Sequence, residues 1–141
     1  MKKTALFLAI GTGLLTVSAS ASAQTPDVDC KNAENQVEMN YCAEQELDDA
    51  DQLLNEVWRK TKATAARIDK DAAQSGEPKG NEAALLKAQR AWIDYRDNTC
   101  EAESYPYRSG TIYSQIKFSC LSRITGVRTQ DLKQMYTDFE E

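Results

Sequence analysis

Leu47, Ala50, Leu54, Val57, Thr61, Ala65 and Ile68 recur at intervals of three and four, the spacing that aligns side chains on one face of an α-helix. Val37 and Tyr41 extend this stripe upstream, and Glu44, Glu46, Asp48, Asp49 and Asp51 fill the opposite, solvated side. With no glycine or proline to interrupt it, the pattern predicts a first helix from about Asn32 to Ile68. Periodicity then fades, and Ser75-Gly76-Glu77-Pro78-Lys79-Gly80 reads as a loop. A second helix is expected from Asn81, a candidate N-cap, to about Ala102. Its core face is predicted as Leu85, Ala88, Trp92, Tyr95 and Thr99, with Leu86 and Ile93 beside it. Arg90 and Asp94, four residues apart, are placed to pair on its surface. Glu103 to Gly110 contains proline and glycine and reads as a second loop. Helical spacing returns with Ile112, Ile116, Cys120, Ile124, Val127, Leu132, Met135 and Phe139, as one long helix or two shorter ones bent at Thr125-Gly126. No segment reads as a strand. The expectation is an all-α fold, a small bundle of three to four helices whose core holds Trp58, Trp92, Phe118 and the leucines.

The start of the chain has a different character. Met1-Lys2-Lys3 is basic, Thr4 to Val17 is apolar and uncharged, and Ala21-Ser22-Ala23 supplies small residues. This is the pattern of an export signal peptide over residues 1–23, cleaved between Ala23 and Gln24. The expected mature domain, residues 24–141, has 118 residues, with 15 basic against 22 acidic side chains, a net charge of −7. No later stretch is apolar enough to span a bilayer, so the expected destination is the periplasm or the medium. The acidic balance argues against nucleic acid, which attracts basic surfaces.

Cys30, Cys42, Cys100 and Cys120 all follow the cleavage site. An even count in an oxidising compartment reads as two disulfides. Four cysteines allow three connectivities; Cys30–Cys42 with Cys100–Cys120 is favoured because both close short local loops. Each bridge restricts the unfolded chain by about 3 kcal/mol.

Candidate chemistry is sparse. The chain has no histidine, which excludes a Ser-His-Asp triad and histidine-containing metal sites. Its carboxylates fall in runs on helix faces, and nothing in the sequence sets two of them across a cleft as glycoside hydrolysis requires. Asp48, Asp49 and Asp51 lack the twelve-residue, glycine-centred loop of a calcium hand. No catalytic residue, metal or cofactor is therefore assigned. Arg96, beside Asp97 and one turn after Trp92, lies near the apolar stripe, where it would cap another helix's carbonyls or pair with a carboxylate such as Asp51; the functional alternative is a ligand contact. Tyr105, Tyr107 and Tyr113 with Arg108 have the composition of a protein-binding hot spot; the alternative is packing over the nearby cysteines.

Gln36-Val37-Glu38-Met39-Asn40-Tyr41-Cys42-Ala43, the segment Leu86 to Cys100 with its Ala91-Trp92-Ile93-Asp94-Tyr95-Arg96-Asp97 core, and Cys120, Thr125, Arg128 and Leu132 together resemble the LprI-type lysozyme inhibitor domain, once grouped as a domain of unknown function. The resemblance covers nearly all of residues 30–136. Arg108-Ser109-Gly110-Thr111 departs from the double-glycine turn of many members. The resemblance implies a small secreted helical domain that binds lysozyme without catalysing a reaction. The functional expectation is non-covalent occlusion of lysozyme or a related peptidoglycan-cleaving enzyme. Its rivals are an envelope interaction module, for effector immunity or another envelope partner, and a carboxylate-dependent hydrolase.

Overall fold

The first helix starts where Asn35 can cap it. In the computed structural model, which describes residues 28–139, Asn35 is extended and its side-chain oxygen accepts from the Val37 and Glu38 amides at 3.1 Å. Helix α1 then runs from Gln36 to Gln74, about 58 Å at 1.5 Å per residue. It outlasts the predicted end at Ile68 because Asp69 to Gln74 contain no helix breaker. Termination needs Gly76, whose φ of 75° lets the Ser75 and Glu77 amides fold back onto the carbonyls of the last turn. The predicted signal peptide lies outside the described residues.

Helix α2 spans Asn81–Ser104 and α3 spans Tyr113–Gln134, with 3-10 turns at Tyr105–Tyr107 and Thr137–Phe139. The described residues thus form three α-helices and no strand. α2 lies antiparallel to both neighbours. α1 and α3 run parallel, joined from Gln36–Gln115 at one end to Thr61–Leu132 towards the other. The expected loop at Glu103–Gly110 is mostly helical: α2 continues through Ser104, and only Arg108–Ile112 turn the chain. The expected bend at Thr125-Gly126 is absent, since both lie inside α3 and packing outweighs the modest helical cost of one glycine.

Asn81 is not the cap of α2. That task falls to Asp69 of α1, whose carboxylate accepts from the Gly80, Asn81 and Glu82 amides at 2.9–3.1 Å and from the Asn81 side chain. These bonds, led by that from Gly80, hold its pKa far below the ordinary carboxylate value. The folded state therefore gains stability that is complete above the unfolded pKa near 4 and is lost as pH falls towards the depressed folded value. Between pH 6 and 2 the melting temperature should drop more steeply in the wild type than in Asp69→Ala. Parallel curves would contradict this role.

The core has two parts. Leu54, Val57, Ala65, Leu85 and Leu132 form one cluster, flanked by Trp58, Trp92 and Tyr136. Cys100, Cys120 and Ile124 form the other, flanked by Trp92 and Leu121. Phe118 is only half-buried and belongs to neither cluster. The predicted faces of α2 and α3 are rotated. α2 turns Leu85, Gln89, Cys100 and Ser104 inward and leaves Tyr95 59% and Ile93 41% exposed. In α3, Thr125, Arg128 and Thr129 are buried while Val127 is exposed. Ile112, Met135, Phe139 and Val37 are likewise exposed.

Hydrogen bonds make polar residues acceptable inside. Arg128 Nε donates to Gln89 Oε1 at 3.0 Å, and Thr129 and Thr61 donate back to carbonyls one turn earlier. Arg128 Nη2 has no partner among the described residues, and burial lowers the side chain's pKa. Arg90 and Asp94 form no ion pair.

Candidate functional site

Cys30 bonds to Cys42 and Cys100 to Cys120. The second bridge is fully buried and locks the end of α2 to α3. Immediately beyond it the chain makes a knuckle. Ser104 is buried with its hydroxyl donating to the Cys100 carbonyl at 2.7 Å. Pro106, in the first turn of the short helix, has a ring that presets φ for that position. Backbone bonds from Arg108 to Tyr105 and from Gly110 to Tyr107 close the turn. From the other side Asn40 Nδ2 donates to the Thr111 carbonyl at 2.9 Å, and Gln36 donates to Gln115 at 2.8 Å. An ordered backbone held from three helices thus carries Tyr105, 53% exposed, and Tyr107, 46% exposed. Arg108 stacks on Tyr105 with its guanidinium carbon 4.3 Å from the ring centroid.

Tyr113 is separate from this group. It is half-buried at the base, where its hydroxyl donates to Glu101 at 3.1 Å. Lys117 donates to the same carboxylate at 2.6 Å. Those two bonds, Lys117's first, lower the Glu101 pKa, and Glu101 in turn raises that of Lys117. Sequence patterning passes over Glu101 and Lys117, although each sits within a turn of a cysteine in one bridge. Once Cys100–Cys120 is assigned, their proximity follows. They line a shallow groove of about 430 Å³ with Arg96, Asp97, Asn98 and Leu121.

Arg96 lies at the meeting point of the three helices. It donates to Asp51 of α1 at 3.0 Å, to Thr125 of α3 at 3.1 Å and to adjacent Asp97 at 2.9 Å, and lies 5.1 Å from the Trp92 ring centroid. Only 16% of its side chain is exposed. Charge-assisted bonds of this kind contribute about 1.5–3 kcal/mol. Arg96→Ala should destabilise the fold by about 2 kcal/mol in urea unfolding, and Arg96→Lys should recover only part of it because an ammonium cannot span three acceptors in a plane. An unchanged midpoint for Arg96→Ala would refute this tie.

Among the described residues no group of three or more acidic or cysteine side chains is arranged to hold a metal ion, the Asp48, Asp49 and Asp51 run included. No described helix is long and apolar enough to cross a membrane.

Three helices, two disulfides and an ordered aromatic projection define a small disulfide-stapled helical domain, of the type that persists in oxidising compartments. The chain belongs to the LprI lysozyme inhibitor family, whose description, "Lysozyme inhibitor LprI", matches it over residues 29–132. It is also similar to an uncharacterized protein of Rhizobium meliloti (strain 1021), with 39% identity over 132 residues, covering 90% of this chain and 92% of that protein. No solved structure matches the chain.

Proposed function

We propose that this protein is exported and inhibits lysozyme, or a closely related peptidoglycan-cleaving enzyme, by occluding its cleft without itself catalysing a reaction. The observation that carries the reading is the knuckle: two exposed tyrosines and a stacked arginine on a backbone that needs no ordering on binding. Tyrosine offers a large contact area with a polar tip at little entropic cost. Arg108 is suited to the carboxylates that lysozyme uses for catalysis, and the rings to the apolar faces of its sugar subsites. The knuckle adjoins the acidic half of α1. Residues 44–56 carry six carboxylates and no basic side chain. Such a surface steers a basic lysozyme towards the contact. The family's description supports the same partner.

The test is calorimetric titration of a basic lysozyme with the oxidised chain purified after export. A one-to-one complex whose association weakens as salt rises from 50 to 150 mM is expected, because exposed charges are screened over that range. No heat at either of two temperatures about 15 °C apart, or a complex indifferent to salt, would overturn the reading or its electrostatic part respectively.

A further inference from the structure

The charge on α1 reverses along its length. After the acidic stretch, residues 59–70 carry Arg59, Lys60, Lys62, Arg67 and Lys70 against Asp69 alone. The helix macrodipole does not account for this, since its effect is confined to the last turn, and Lys62 lies three turns before Gln74. The strip is only partly consumed internally: Arg67 pairs with Asp71 at 3.7 Å and donates to the Phe139 carbonyl. Lys62 makes one exposed bridge to Glu82 at 3.5 Å, and Arg59 has no ion pair among the described residues. The strip borders a broad cavity of about 440 Å³ that is wide open to the surface and lined by Trp58, Arg59, Lys62, Ala63, Ala66 and Glu82. Trp58 packs partly buried against the first core cluster and also lines this cavity. The cavity lies about 27 Å along α1 from the Asn40 brace of the knuckle, at 1.5 Å per residue.

We propose that this cavity is a second binding site, for a saccharide that carries a carboxylate. The indole offers a flat apolar face for the C–H side of a sugar ring. Arg59 presents paired donors that match a carboxylate, and Lys62 adds a second cation. Glu82, which bridges to Lys62 at 3.5 Å, has acceptor capacity left for ring hydroxyls, and Ala63 and Ala66 add little bulk to the lining. The cavity's volume is in the range used for small ligands, and its open mouth suits the edge or end of an oligosaccharide rather than an engulfed molecule. A nucleic-acid strand is a poorer match, because it would track a long basic groove and stack on several aromatic rings, and one indole in an acidic protein provides neither. The site is independent of the lysozyme reading and stands or falls separately from it.

The two tryptophans allow a direct test. In a 15N spectrum of the oxidised chain titrated with tetragalacturonate, the Trp58 indole N–H signal should move while that of Trp92 stays. Chitotetraose, a neutral oligosaccharide, should bind at least tenfold more weakly, as should tetragalacturonate to R59Q/K62Q. Both R59Q/K62Q and the wild type should inhibit lysozyme equally, which separates this site from the knuckle. An unmoved Trp58 indole, equal binding of chitotetraose, or shifts reproduced by inorganic phosphate alone would overturn the proposal.

Discussion

Replacing Tyr105, Tyr107 and Arg108 together by alanine is expected to weaken lysozyme inhibition at least a hundredfold while leaving the melting temperature within a few degrees of wild type. Central aromatic and arginine residues of an interface commonly cost about 2 kcal/mol or more each on truncation. Even with strong non-additivity, the triple change should exceed the 2.7 kcal/mol or so that corresponds to a hundredfold. The fold should be spared because these side chains are roughly half-exposed or more, and the knuckle's backbone bonds, Pro106 and the Asn40 brace all remain. The check is an inhibition constant for each protein alongside its thermal unfolding curve. Unchanged inhibition by a folded triple variant would remove the knuckle from the contact surface.

Loss of the Cys100–Cys120 bridge should be the most damaging change to stability. Chain entropy alone hardly distinguishes the two disulfides. Loops closed over separations of 20 and 12 residues give about 3.3 and 2.8 kcal/mol respectively in the simple loop-closure treatment. Burial separates them. Cys100 and Cys120 are 0% and 1% exposed and form the second core cluster with Ile124, so removing both sulfurs also leaves a cavity costing a further 1–2 kcal/mol or so. Cys30 is exposed and precedes α1, so although Cys42 is buried at 8% exposure only one of the two sulfurs is in the interior. Cys100→Ala/Cys120→Ala should therefore lower the melting temperature by about 10–20 °C, and Cys30→Ala/Cys42→Ala by only about half to two-thirds as much. Equal losses would mean that the second cluster is not the stabilising one. Because the knuckle follows directly from Cys100, the first variant should also inhibit less well at temperatures where it remains folded.

Much of this architecture was legible in the chain. The α1 stripe from Leu47 to Ile68 faces the bundle as the spacing required, because nearly every inward position there is apolar or is Thr61, which satisfies its own hydroxyl. The disulfide pairs followed from loop length. α2 misled for an identifiable reason: its inward positions include buried Gln89 and largely covered Arg96, which bond to Arg128, Asp51 and Thr125 from the other helices. A hydrophobicity pattern cannot anticipate partners that distant in sequence, so it shifted the face to Ala88 and Tyr95. The same holds for Val127, which reads as core only until Arg128 is known to have Gln89 opposite it. The α2 cap escaped notice because the capping group, Asp69, belongs to another helix. At the candidate site, the aromatic composition of Tyr105, Tyr107 and Arg108 was visible, and their separation from Tyr113 was not. That division depends on Glu101 of α2, which the pairing of α2 with α3 brings to Tyr113 and Lys117.

The central claim is that this helical domain blocks a cell-wall-cleaving enzyme through its surface. The most direct measurement is lysis of a cell-wall suspension by lysozyme in the presence of increasing amounts of the oxidised chain, at low and physiological salt. Lysis should stop near one inhibitor per enzyme at low salt and require more inhibitor at physiological salt. Undiminished lysis at a tenfold molar excess, with lysozymes of several types, would contradict the account.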